Sequence, residues 1–131
     1  MRDGRHDPTP AEWADIFRRK AISAFRVAAS SASDHPNSAA NRAYYAVLHG
    51  IQMRHGPMPP LPRDHGRLAS TEVLARVGLE AMDGREIQKL YECRHMADYA
   101  PKDVFPGTAH LCVERAARLL SHLGVEVGFT P

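Results

Sequence analysis

Apolar positions recur along this chain at helical rather than strand spacing. Trp13, Ile16, Phe17, Ala21, Ala24, Val27 and Ala28 share one helical face, while Ile22 and Phe25 lie off to one side. Thr9 is placed as an N-cap, Pro10 at the first helical position and Glu12 in a capping-box position. A first helix is therefore predicted from Pro10 to about Ser31, and its extra apolar edge, Ile22 and Phe25, suits a subunit contact. After the turn cluster Ser33-Asp34-His35-Pro36, a second helix is predicted from Asn37 or Ser38 to about His55, with the stripe Ala40, Ala43, Tyr44, Val47, Leu48 and Ile51.

The stretch from Gly56 to Pro62 holds four prolines and reads as a stiff connection. A shorter third helix is predicted from about Asp64 to Val77, ended by Gly78. Asp83-Gly84 reads as a turn before a fourth helix from Arg85 to about Ala100, stopped by Pro101. A fifth, from about Thr108 to Leu123, carries Ala109, Cys112, Val113, Ala116, Leu119, Leu120 and Leu123 on one stripe. Only Val125-Glu126-Val127 has any strand character. The predicted fold is all-α: an up-and-down bundle of four main helices plus one shorter one, its first two helices an antiparallel hairpin. Residues 1–9 form a flexible start, 10–124 the bundle and 125–131 a tail.

With 131 residues, the chain is long enough to bury a core without disulfides or metals. Its N-terminus has no hydrophobic signal region and no apolar run reaches bilayer length, so a cytoplasmic protein without membrane contact is expected. Cys93 and Cys112 make no framework and read as reduced thiols at helix packing surfaces. None of the eight histidines pairs with another at i, i+4, so neither a metal nor another cofactor is expected. A net charge of +2 does not announce a nucleic-acid binder, and any basic footprint must be local.

Polar residues that interrupt the pattern are the candidate chemistry. Arg42, Tyr45 and His49 line one strip of the second helix, opposite its apolar stripe. A guanidinium, a phenol and an imidazole there suit phosphate binding, base stacking and proton transfer near neutral pH, and equally a solvated helix face. On the fourth helix, Arg94 and Asp98 fall within the apolar face set by Ile87, Leu90, Tyr91 and Ala97. Being i, i+4, they can bridge each other, and burial demands a partner or a wet cleft. That pair reads either as a structural ion pair or as a phosphate-holding arginine with an acidic orienter, with His95 and Tyr99 one step round the helix. His65 sits between Arg63 and Arg67 at a predicted helix start, which favours an anion or simply solvated charge.

Three segments carry a family resemblance. The run from Ser38 to His49, with Asn41-Arg42-Ala43-Tyr44-Tyr45-Ala46, resembles the A-x-N-R-A-Y-Y-A-x-F-H signature of one prokaryotic branch of the HEPN family (higher eukaryotes and prokaryotes nucleotide-binding). Asp64-His65-Gly66-Arg67-Leu68 resembles its K-x-H-x-G-L segment. The run from Leu90 to Tyr99 resembles its L-Y-x-x-R-x-x-A-D-Y. The order and similar intervals cover most of the chain.

The resemblance implies a four-to-five-helix bundle, commonly dimeric, that acts as a metal-independent endoribonuclease or binds RNA or a nucleotide. It also implies a toxin paired with a nucleotidyltransferase-type antitoxin. Arg94, His95, Arg42 and His49 are then the candidate catalytic residues, and Asn41, Tyr45, His65, Asp98 and Tyr99 the candidate nucleotide or RNA contacts. The family's ribonucleases place a histidine after the arginine with four to six residues between. Here Arg94 is followed by Tyr99, Ala100 and Pro101 at those positions, while Arg42 and His49 are separated by six residues on the second helix. The alternative function is a noncatalytic nucleotide- or protein-binding module.

Overall fold

The computed structural model describes residues 7–62, 64 and 68–128 and contains five helices: α1 Pro10–Ser31, α2 Pro36–His55, α3 Thr71–Val77, α4 Ala81–Tyr99 and α5 Pro106–His122. No strand occurs among the described residues, and no described helix is long and apolar enough to cross a membrane. The predicted all-α bundle is what the chain forms. At the start of α1 the capping box is complete: Thr9 N donates to Glu12 Oε1 (3.0 Å) and Glu12 N to Thr9 Oγ1 (3.1 Å).

Helix α2 is the axis of the bundle and touches the other four helices. It runs antiparallel to α1, since Trp13 Nε1 at one end of α1 donates to the Gln52 carbonyl near the far end of α2 (2.8 Å). It also runs antiparallel to α4, where residues 41 and 45 meet residues 98 and 94. Against α5 the approach is close at Gly50, where a Cβ would lie 2.9 Å from Leu120 Cδ2. Tyr44, Val47, Ile51, Leu90, Leu119, Leu120 and Leu123 fill the space between these helices.

Several boundaries and faces differ from the sequence-based reading. Helix α3 starts at Thr71 rather than near Asp64, because Ser70 is its N-cap, its hydroxyl accepting from Val73 N (3.3 Å). Helix α4 starts at Ala81, four residues before Arg85. Asp83 is not a turn residue but the third helical residue of a capping box, accepting from Glu80 N (2.9 Å). Gly84 lies inside the helix, packed so closely on α3 that an added Cβ would sit 2.9 Å from Leu74 Cδ1. Helix α5 begins two residues early, with Pro106 in its first turn.

On α1, Phe25 is in the core at 2% exposure while Val27 is 44% exposed, the reverse of the expected roles. The core-facing stripe is rotated so that Phe25 packs inward. Residues 125–128 of the tail are not strand. Gly124, at φ 85°, turns the chain so that Val125 N reaches the Leu120 carbonyl (2.7 Å) and buries the valine completely. Asn37 fastens the α4–α5 connection to the start of α2: its amide donates to Asp103 Oδ1 (2.9 Å) and accepts from Val104 N (2.8 Å).

Candidate functional site

Two helices build a polar junction that the helical wheels keep apart. Arg94, whose side chain is 15% exposed, contacts Asp98 Oδ2 through Nε (3.2 Å) and donates from Nη2 to the Tyr45 hydroxyl (3.2 Å). The Nε contact is an ion pair off hydrogen-bond alignment, so this buried nitrogen keeps donor capacity. Asp98 accepts from Asn41 Nδ2 at 3.2 and 3.3 Å, and Asn41 Oδ1 accepts from Arg42 Nε (3.3 Å) and Nη2 (3.1 Å). The ring of Tyr45 closes the circuit, with the Arg42 guanidinium 5.2 Å and the Arg94 guanidinium 5.5 Å from its centroid. Two cations therefore flank one phenol, with Asp98 the carboxylate bonded into the cluster.

The local sequence makes this possible. Asn41, Arg42 and Tyr45 lie within one turn and a quarter of α2, and the alanines at 39, 40, 43 and 46 are fully buried around them. Small side chains let α4 approach closely enough for Arg94 and Asp98 to reach across. Tyr44, one residue on, is buried and edge-on to Tyr45 at 5.4 Å; burial first raises its phenol pKa, so it stays protonated.

Arg42 also faces a second space. Together with Arg19, Lys20, Ser23 and His49 it lines a groove of about 460 Å³ between α1 and α2, floored by Ile16, Ala24 and Val27. His49 Nδ1 lies 2.9 Å from Gln52 Oε1. Bonded that way, Nδ1 carries the proton and Nε2 is the basic nitrogen of the neutral ring. Burial, and then the charges of Lys20 and Arg42, hold its pKa below the ordinary imidazole value against the opposing Gln52 bond. At neutral pH the ring is uncharged and ready to accept a proton. Gln52 is itself fixed, because Trp13 clamps its carbonyl.

The sequence-predicted residues thus separate into groups. Asn41, Arg42, Tyr45, Arg94 and Asp98 come together, and His49 joins them through Arg42 and Tyr45, whose ring centroid is 6.4 Å from the imidazole. His95 and Tyr99 do not complete the Arg94–Asp98 pair. They stack on each other at 4.7 Å along another face of α4, lining an open groove of about 550 Å³ with Tyr91, Glu92 and Met96. His65 lies outside the described residues. Arg19, Lys20 and Ser23 were missed by the sequence reading, although the consecutive basic residues Arg18-Arg19-Lys20 on α1 carry the signal.

Among the described residues, no three of His, Cys, Asp and Glu converge as metal ligands. Cys93 and Cys112 are free and buried between α4 and α5; the Cys112 thiol is pushed up by its hydrogen bond to Cys93 and by burial. What fold and site define is an all-α bundle with a cation-rich polar junction beside a neutral histidine. Compared with protein-family models, with curated proteins and with solved structures, the chain has no match.

Proposed function

We propose that this chain is an RNA-directed protein that cleaves RNA without a metal, as an endoribonuclease toxin of a toxin–antitoxin pair or a descendant of one. The observation carrying this reading is Arg42, which joins the Tyr45–Arg94 junction to a groove containing a neutral, proton-accepting His49. RNA cleavage through the 2′-hydroxyl needs those elements: a base, and a cation for the charge on the phosphorane-like transition state. His49 Nε2 takes the 2′-proton, the 2′-oxygen bonds to phosphorus, and the 5′-oxygen leaves, taking a proton from water at the open groove; the hydroxide formed then takes the proton from the His49 imidazolium and restores the neutral ring. The products are a 2′,3′-cyclic phosphate and a 5′-hydroxyl. Arg42 binds the phosphate, while Arg94 and Asn41 hold Arg42 and Tyr45 in place.

Total RNA incubated with pure protein in EDTA tests the reading. Wild type and His95→Ala are expected to cleave, and Arg42→Ala and His49→Ala to leave RNA intact while remaining folded by circular dichroism. Intact RNA with folded wild type at high concentration overturns cleavage. A noncatalytic nucleotide- or protein-binding module is the second reading, favoured by the engagement of Arg94 with Asp98 and Tyr45 and by the lack of a histidine at positions 99 to 101. The toxin reading further includes a homodimer and a nucleotidyltransferase-type antitoxin; expression alone should then arrest growth, and co-expression of that partner should relieve it.

A further inference from the structure

We propose that the groove between α1 and α2 is a phosphate subsite, in which Lys20, Arg42 and the Ser23 hydroxyl hold a phosphodiester of single-stranded RNA beside His49. This deepens the function proposed above, on which it rests, by assigning the group that the site takes and adding α1 residues to it.

The lining carries the argument. Arg19, Lys20 and Ser23 come from one face of α1 and Arg42 and His49 from α2, and none of the residues lining the groove is acidic. Arg19 pairs with Asp15 (2.9 Å), an exposed contact, while Lys20 and Arg42 have no carboxylate partner among the described residues. Lys20 Nζ stands 5.0 Å from the Phe17 centroid, and Arg42 is placed over Tyr45, so aromatic rings position both cations. Like charges converging on a half-buried imidazole repel one another, and an anion between them removes that cost. The apolar floor of Ile16, Ala24 and Val27 offers contact to the sugar, and the half-exposed Val27 also lines the adjoining groove with Asn37, Ser38, Asn41 and Asp98. That continuity gives an extended chain a path past the phosphate.

Proton linkage supplies the readout. The groups facing His49 are Phe17 and Lys20 from α1, and Arg42, Tyr45 and Gln52 from its own helix. Burial first, and then the Lys20 and Arg42 charges, with no carboxylate lining the groove among the described residues, make the ring harder to charge than a free imidazole. A bound anion offsets the charge part of this, so it raises the His49 pKa, and affinity for the anion rises as pH falls through that pKa.

The experiment follows the His49 ring by NMR in the full chain, with sulfate as a non-titrating probe and chloride matching ionic strength. Saturable shifts of the His49 resonances are expected, with its pKa rising by about one unit, equivalent to tenfold tighter binding to the charged ring. Lys20→Gln and Arg42→Lys should each weaken sulfate about tenfold, and Arg85→Gln, an exposed charge elsewhere, should change nothing. Sulfate that moves His49 no more than chloride does, or equally in Lys20→Gln, overturns the subsite. A 2′-O-methyl oligoribonucleotide should displace sulfate better than AMP; the reverse order overturns the assignment to an RNA chain in favour of a free nucleotide. RNA cleavage without a sulfate effect at His49 removes the subsite alone. A sulfate effect without cleavage removes the cleavage reading alone.

Discussion

Helix α4 carries charged residues into helix contacts at both ends, and the two ends are wired differently. At its N-terminal end, Asp83 pairs with His122 of α5 (2.8 Å) and caps its own helix, while Glu86 meets Arg115 (2.7 Å) and lies 3.9 Å from both Arg118 and Lys89. There acidic groups are matched or outnumbered by cations, and the buried polar atom left without an aligned hydrogen bond is an acceptor, Glu86 Oε2. At its C-terminal end, Arg94 and Asp98 meet Asn41 and Tyr45, and the circuit continues through Arg42 to an open groove with a neutral histidine. The first arrangement ties α4 to α5. The second does that for α2 and also leaves cationic groups and a base facing solvent. An ion pair near a core is thus no sign of function by itself; what distinguishes the end we propose as functional is cationic donor capacity left over after the pairing.

Substitutions at the two ends break this comparison in opposite ways. The largest effect expected is His49→Ala, which should lower RNA cleavage at least about a hundredfold with little change in melting temperature, since general-base catalysis is worth that much or more. The wild-type kcat/KM, which reports the free protein, should fall only below the ordinary imidazole pKa, because the lowered His49 pKa keeps the base neutral into mildly acid solution. A pH–rate profile checks this: an acid limb lying above that value contradicts the assignment.

Next in size, Asp83→Ala removes both a helix cap and the partner of His122, and should cost about 2 kcal/mol by urea unfolding while leaving the RNA affinity of the folded protein unchanged. Arg94→Gln should weaken RNA binding about tenfold, seen by titration, because it loosens Tyr45 and thereby Arg42. The smallest effect belongs to Asp15→Asn, which loses an exposed ion pair with Arg19 and should change stability by less than about 0.5 kcal/mol. Because it frees Arg19 at the groove, that same change should raise RNA affinity slightly at low salt.

Much of the fold was legible because local signals were complete within a few residues. Thr9 to Glu12 is a full capping box, and the stripe from Ala109 to Leu120 is buried as its spacing predicts. Boundaries were lost where chemistry was read without its partner. Asp83 looks like a turn residue until Glu80 is seen in front of it, and Gly84 looks like a break until Leu74 is found against it. The site was legible as residue types but not as an assembly. A helical wheel for α2 places Arg42, Tyr45 and His49 away from its own stripe, and so toward solvent. Yet α2 is the axis of the bundle, with α1 and α4 on its flanks, and those neighbours turn the ridge into a junction and a groove. Lys20 belongs to that groove through the pairing of α1 with α2, which no single-helix pattern records.

The measurement that tests the account most directly is binding of a short, labelled single-stranded oligoribonucleotide by fluorescence anisotropy across a salt series, for wild type and for Arg42→Gln. The account predicts saturable binding at low salt, a log–log salt slope of about −1.4 from contacts by Lys20 and Arg42, and a slope smaller by about one phosphate contact in the variant. No binding by folded wild type at low salt, or binding whose strength and slope are the same in Arg42→Gln, would contradict it.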